Sequence, residues 1–493
     1  MKASLPAVVA LVLLPAVACM SAAGESDSAT IVGRALVSSP LAEDLRRLTD
    51  EVGGRVSGTP AMAGAIDWAL DAFRDAGVAA HTENYAMPLT WSEGATRLEV
   101  LDGSNVPITL VSEGWSAPTP AGGIEAELVH VGDGTPADFE RVGKRTRGAI
   151  LLVDAPIIHS WDDLDAEYDR AMPIKQRAVE AGARAVLWMA GRERRLLYRH
   201  TDTVEGELSP LPMATLARED ALRLARLGDA RGPPLRVRLT MPNAIGGPAQ
   251  ERNVIGEIRG REHPDQIVVL GAHLDSWDLG TGALDNGCNA ALVIAAARAI
   301  QASGLRPRST IRFVLFSGEE QGFQGSRAYA VQHRPELDQT RAMVAIDAGS
   351  GRITGFSLSG RADIVAPVSE LLRPLRSFEA GELSLSGSLG TDNVDFMLEG
   401  VPTLSADQDP ANYMENYHAA SDTFDKVDLR QLAQNTAFIA AVVYAIADRA
   451  DPIGKRLSRP EIERLLDHTG LAKSMKVGGL WEAWAAGRRG RTP

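Results

Sequence analysis

Short apolar runs that end in polar residues recur through the second half of the chain. Ile267-Val268-Val269-Leu270 is short, β-branched and fit for a buried strand. The run continues through Gly271, after which His273 and Asp275 stand at alternate positions. A glycine-rich segment then leads to Asp285 in GALDNG, where Asn286-Gly287 is a turn signal. CNAALVIAAARAI, which follows, reads as a buried helix. The design repeats twice. IRFVLF (311–316) is a strand that runs into Ser317-Gly318-Glu319-Glu320, and AMVAI (342–346) is one that runs into Asp347. GVPTL (400–404) reads as a further strand ahead of Tyr417-His418 and Asp422.

The first half has a different texture. Residues 41–48 and 61–76 carry apolar positions at helical spacing, with Gly77 as a stop. RVSGTP (55–60) is a loop between them, and PTPAGG at 118–123 marks a boundary. From 120 to 244 short strands dominate, at 126–131, 149–153, 185–189 and 235–239, with a short helix at 175–183. Strand-helix alternation resumes at Asn253 and runs to about 450. The expected fold is therefore α/β, a mostly parallel sheet with helices on both faces. It is discontinuous, from residues 30–119 and 245–450, around a β-rich insertion at 120–244. Residues 451–493 read as one helix and a frayed basic tail.

The chain's 493 residues exceed one ordinary core. A net charge of −13 argues against nucleic acid or an anionic membrane surface as partner. Residues 1–23 have Lys2, an apolar stretch from about Leu5 and then small residues, the layout of a secretory signal peptide. The stretch is short for a membrane span. Cleavage after Ala18 or Ala23 is expected, and with it a secreted or periplasmic protein. Ala16-Val17-Ala18-Cys19 also resembles a bacterial lipoprotein box with Ala16 in place of the usual Leu, so a lipid anchor at Cys19 stays open. The two cysteines, Cys19 and Cys288, offer no structural disulfide, and Cys288 reads as a small buried apolar residue.

Ligands of open α/β sheets bind beyond the carboxyl ends of the strands. Here successive strands each deliver carboxylates to that end, and such a cluster repels itself unless a cation holds it. Histidines among the acids point to zinc or a similar transition metal rather than calcium. Five blocks stand in order: HxD, GALDNG, GEE, IDAG and YHxxxDT. Together they resemble the co-catalytic zinc aminopeptidase family of metallopeptidases, over about 253–430 with weaker support from 40–90. HLDSWDLGTGALDNG, GLRPRSTIRFVLFSGEEQG and GTDNVDF resemble the carboxypeptidase Q branch of that family. GKRTRGAILLVDAP and KQRAVEAGARAVLW make the 120–244 insertion similar to a protease-associated domain.

The resemblance implies two Zn2+ per chain. His273, Asp285 and Asp347 would hold one, and Asp285, Glu320 and His418 the other, with Asp285 bridging. Glu319 would be the general base that activates a metal-bound hydroxide, and Asp275 would accept the other imidazole N–H of His273. Asp422 would do the same for His418 or cap a helix. Asp278 would face a substrate amine or cap its loop; Tyr417 would face the oxyanion or fill the core; Asp392 would shape the pocket or a turn. His159, His200 and Arg192 to Arg195 read as surface residues. The implied activity is hydrolysis of short peptides, as dipeptidase, aminopeptidase or carboxypeptidase, with room for a homodimer. The alternatives are a single-zinc acyltransferase of the glutaminyl cyclase kind and a receptor-like homologue without catalysis.

Overall fold

The computed structural model describes residues 26–37, 39–101, 106–201, 203–230 and 234–492. The expected signal peptide and Cys19 lie outside the described residues. In chain order the strands are β1 (Ala79–Met87), β2 (Thr90–Ser92), β3 (Arg97–Val100), β4 (Leu110–Ser112), β5 (Ile124–His130), β6 (Ile150–Val153), β7 (Ala185–Met189) and β8 (Met213–Leu216). They continue as β9 (Arg236–Thr240), β10 (Ala244–Gly246), β11 (Ala249–Ile258), β12 (His263–His273), β13 (Ser309–Phe316), β14 (Thr340–Ala345), β15 (Ile353–Ser357), β16 (Glu382–Ser384) and β17 (Thr403–Gln408).

One sheet has eight strands in the order β1-β11-β13-β12-β14-β17-β15-β16. Its centre, β13-β12-β14-β17, is parallel, while β1 and β11 pair antiparallel and so do β15 and β17. Alternation along β12 explains why this strand is apolar at every position from Ile267 to Leu270. Val268 and Leu270 pack with the helix Cys288–Ser303 and the helix Leu429–Asp448. Ile267 and Val269 point the other way, into a cluster with Tyr329 and Phe396. Burying such a side chain is worth roughly 1.5–3 kcal/mol, so helices on both faces stabilise the strand. β13 lies on one side of β12 and β14 on the other. The chain thus reverses direction across β12, which opens a crevice at the carboxyl ends of these strands.

The second sheet has seven strands in the order β3-β9-β5-β6-β7-β8-β4, parallel from β5 through β8. It draws in β3 and β4, from ahead of the boundary expected near residue 120. The Pro/Gly stretch at 118–123 is a loop within this lobe. Arg97-Leu98-Glu99-Val100 alternates so that Leu98 and Val100 are buried, opposite Leu239 and Val237 of β9. Four residues are too few to reveal that membership from sequence.

Two further expectations are corrected. The helix expected at 175–183 runs from Trp161 to Ala181. Ser160 and Asp163 form a capping box that starts it. Pro173 and a polar face, with Leu164, Glu167, Ile174 and Ala178 as its buried residues, concealed its first turns. The C-terminal tail is not frayed. Helices Arg459–Thr469, Leu471–Val477 and Trp481–Ala485 pack together, and Trp484 is buried. Arg489 reaches Asp395 with two hydrogen bonds of 2.8 and 2.7 Å, so a residue read as basic surface is a buried anchor.

Candidate metal centre and active site

β12 ends at His273, β13 leads to Glu319 and Glu320, and β14 leads to Asp347. The loop after β12 returns Asp285 to the same place. It folds tightly against residues 419–422: a Cβ on Gly280 would lie 2.6 Å from the carbonyl oxygens of Ala419 and Asp422, so only glycine fits there. Gly282 takes a left-handed φ of 59° one turn before Asp285. His418 completes the cluster from the 417–422 segment.

All five expected metal ligands converge. His273 Nε2 lies 2.9 Å from Asp347 Oδ1 and 3.1 Å from Asp285 Oδ1. His418 Nε2 lies 3.2 Å from Asp285 Oδ2 and 3.1 Å from Glu320 Oε2. Within each of the sets His273–Asp285–Asp347 and Asp285–Glu320–His418, one donor atom per residue falls within 4.8 Å of the others. Asp285 belongs to both sets and offers a different oxygen to each imidazole. Tyr413 donates a hydrogen bond to Asp285 Oδ2 at 2.9 Å.

The donor set fits zinc. Imidazole and carboxylate are zinc ligands, and the cluster is short of positive charge without a cation. Glu320 Oε1 is buried without a hydrogen-bond partner. Burial pushes Glu320 up to about 7, against the pull of His418, and Asp285 adds to the rise. Burial likewise pushes Glu319 well above the carboxylate range; His273 opposes, and Asp347 and Glu320 reinforce. Burial works against a charged His418, yet Glu320 and Asp285 outweigh it and raise it to about 10. A bound divalent cation would supply what these acids lack.

The outer partners differ from expectation. His273 Nδ1 lies 3.0 Å from the main-chain carbonyl of Asp275 and 3.7 Å from its carboxylate. The carboxylate of Asp275 instead accepts the backbone N–H groups of Glu319 and Glu320, at 3.2 and 3.3 Å. Asp422 neither orients His418 nor caps a helix. It accepts the backbone N–H of Leu284 and of Asp285, at 2.6 and 3.1 Å. His418 Nδ1 goes to the carbonyl of Arg199 at 2.8 Å. Each histidine is thus oriented by a main-chain carbonyl, and each outer acid pins the loop that carries a ligand. These pairings depend on backbone path, which single residues in a motif do not reveal. Asp278 bonds to the guanidinium of buried Arg199. Asp392 is buried, and burial pushes it up to about 8 against the pull of His273 and of a hydrogen bond from Ser326.

A cavity of about 460 Å3 opens beside the cluster, with Glu319, Glu320, Tyr417 and His418 in its wall. Trp161 and Tyr168 of the second lobe line it, as do Leu389 and the C-terminal Leu471. Arg192, expected on the surface, is buried and lies over Tyr198, and His200, also expected there, is half-buried with its ring 5.3 Å from that of His418. Sequence reasoning missed Tyr168, Arg199 and His200 because they lie in the lobe that carries no acidic cluster. No motif marks them.

The model of Peptidase family M28 matches residues 253–443. Carboxypeptidase Q of Homo sapiens is 31% identical over 417 residues, covering 82% of this chain and 85% of that protein. Aminopeptidase YwaD of Bacillus subtilis is 26% identical over 416 residues, covering 81% and 83%. The solved structure of a peptidase M28 precursor from Shewanella amazonensis is 27% identical and matches with a TM-score of 0.79, over 88% of this chain and 99% of that one. The fold is also that of BSAP, a zinc aminopeptidase from Bacillus subtilis, at 21% identity, a TM-score of 0.66, and coverage of 85% and 97%.

Proposed function

This chain belongs to peptidase family M28 and is a zinc-dependent exopeptidase, and from that premise we propose that it removes residues from the free N-terminus of short peptides at a centre of two zinc ions. The observation that carries the count of two is Asp285, whose two oxygens face two different imidazoles. His273, Asp285 and Asp347 would hold one ion and Asp285, Glu320 and His418 the other. Bound zinc would polarise the scissile carbonyl and ease loss of a proton from the attacking water.

The protein's own residues do the rest. Glu319 sits in the cavity wall beside ligand Glu320, and Asp275 fixes the backbone of both. Its raised affinity for a proton suits a base that takes the water's proton and delivers it to the leaving amine. Tyr417 stacks on His418, ring centroids 3.7 Å apart, and lines the cavity, where its hydroxyl can donate to the oxygen that gains charge. Asp165 and Asp169 also line the cavity, and no Lys or Arg does among its described lining residues. That balance favours the ammonium end of a peptide over the carboxylate end.

We read the second lobe as the protease-associated domain and residues 1–23 as an export signal. No helix among the described residues is long and apolar enough to cross a membrane. The test of the function is a comparison of unblocked, N-acetylated and C-amidated dipeptides with the zinc-loaded protein. Cleavage that survives amidation and fails on acetylation is expected. The reverse order would make the chain a carboxypeptidase, and no cleavage of any peptide would return it to the acyltransfer or receptor alternatives.

A further inference from the structure

We propose that Tyr168 of the second lobe is a positioning residue for this reaction, its hydroxyl holding that of Tyr417 toward the substrate cavity with His200 as the anchor behind it. The proposal rests on the reading of Tyr417 as the donor to the developing oxyanion.

Tyr168 lies on the helix Trp161–Ala181, and Tyr417 lies beside His418 in the catalytic lobe. Their hydroxyl oxygens are 2.7 Å apart. No other hydrogen-bond partner of the Tyr417 hydroxyl occurs among the described residues. Tyr168 Oη is also 3.0 Å from His200 Nδ1. The His200 ring is held between Tyr168 and Tyr198, at 4.9 and 4.8 Å between centroids, and its backbone N–H donates to Glu113 Oε2 at 2.9 Å. The anchor is therefore fixed on several sides.

Proton counting sets the direction of this chain. Each phenol has one proton. If Tyr417 gives its proton to the substrate oxygen, its own oxygen must accept, so Tyr168 donates to Tyr417. The Tyr168 oxygen then accepts from His200 Nδ1–H, and His200 Nε2 becomes an acceptor. Nε2 is buried without a protein partner. His200 lines a second, small cavity of about 40 Å3 that also borders Tyr168 and Glu167, whose Oε2 is buried without a hydrogen bond and lies 3.7 Å from Arg170 Nη1. A cavity of that size has room for a water that donates to Nε2. One tautomer of a neutral His200 thus satisfies the whole chain. Hydrogen bonds in such a series strengthen one another, which sharpens the donor at the cavity end.

The experiment is a double-mutant cycle on the full zinc-loaded chain with an unblocked dipeptide as probe. Zinc content is read for every variant. Tyr417→Phe should lower kcat by about 100-fold or more, as loss of an oxyanion donor does. Tyr168→Phe removes the hydroxyl with its hydrogen bonds to Tyr417 and His200 and keeps the ring, and only the bond to Tyr417 bears on the donor. It should lower kcat about tenfold, the scale of one hydrogen bond, with KM within about twofold and zinc unchanged. In the Tyr417→Phe background, Tyr168→Phe should cost nothing more, because it acts through Tyr417. Losses that multiply would overturn the proposal and leave the Tyr417 reading standing. So would wild-type kcat, or loss of zinc, in Tyr168→Phe alone. Wild-type kcat in Tyr417→Phe would overturn both.

Discussion

The two lobes both bury acids, and they treat them differently. In the seven-stranded lobe Glu113 accepts from the Thr215 hydroxyl and the His200 N–H, and Asp220 is paired with Arg195 and the Thr109 N–H. Both of these carboxylates meet donors from their own lobe. At the carboxyl ends of β12, β13 and β14 the acids meet one another. Asp285, Glu319, Glu320, Asp347 and Asp392 crowd around two imidazoles, with the guanidinium of Arg55 held by main-chain carbonyls nearby. A folded protein tolerates that arrangement only where something outside the chain completes it. The first lobe is therefore a centre to be filled. The second is self-sufficient and acts at its edge, by what it lays against that centre.

The sharpest way to break the contrast is at the shared ligand. Asp285→Ala should lose both zinc ions, and kcat should fall by at least about 10⁴-fold, since several kcal/mol of metal-borne stabilisation go with them. Elemental analysis of the folded variant decides it. One retained ion would mean that Asp285 does not bridge. Glu319→Gln comes next. It keeps shape and reach but cannot take a proton, so kcat should drop by about 10²–10⁴-fold with zinc content intact. Near wild-type turnover would remove Glu319 from the role of base.

The edge is tested at Arg199. Its guanidinium bonds to Glu93 and Asp278, and it lies 5.1 Å from the Trp91 ring and 5.8 Å from that of Trp277. Its carbonyl accepts His418 Nδ1, and its N–H donates to the His418 carbonyl at 3.1 Å. Arg199→Met empties a buried site and leaves the half-buried Glu93 carboxylate with only the Thr96 hydroxyl and the Ser112 N–H. Stability should fall by about 3–5 kcal/mol, and the ion held with His418 should weaken by about 10–100-fold. Chelator titration followed by unfolding checks both. A variant that loses stability but holds zinc as tightly as wild type would show that the lobe braces the fold and not the metal.

The same contrast governs what could be read in advance. The convergence of His273, Asp285, Glu320, Asp347 and His418 was legible because each stands in a short motif at or after the end of an apolar strand, and strand ends in such a sheet converge. The parallel centre of the sheet was legible from runs such as Ile267 to Leu270. Tyr168, Arg199 and His200 were not, because their importance comes from a contact between residues more than 200 positions apart in sequence. The roles of Asp275 and Asp422 were misassigned for a related reason. A carboxylate beside a histidine in a motif suggests an imidazole partner, yet the backbone path brought two amide N–H groups closer. Arg489 looked like tail because its partner, Asp395, sits on a helix 94 residues earlier.

The smallest effect belongs wholly to the second lobe. His130, at the end of β5, lies 2.8 Å from Asp154 Oδ2, just beyond β6, and both side chains are partly exposed. The hydrogen bond to Asp154 raises the imidazole above its ordinary value, and burial only partly opposes it. A histidine whose pKa is higher in the folded than in the unfolded chain contributes stability fully below its unfolded value, near 6.5, and loses it as pH rises through the folded value. His130→Gln keeps a donor for Asp154 and removes the titration. Wild type should therefore lose stability relative to this variant between about pH 6 and pH 9, by under about 1 kcal/mol for a partly exposed pair. Urea unfolding of both proteins at the two pH values measures the difference. Zinc content and kcat should stay level, since this pair is part of the lobe that needs no ion. An unchanged difference between the proteins at the two pH values would show that the pair contributes nothing, and a change in zinc affinity would show that the two lobes are coupled beyond their shared edge.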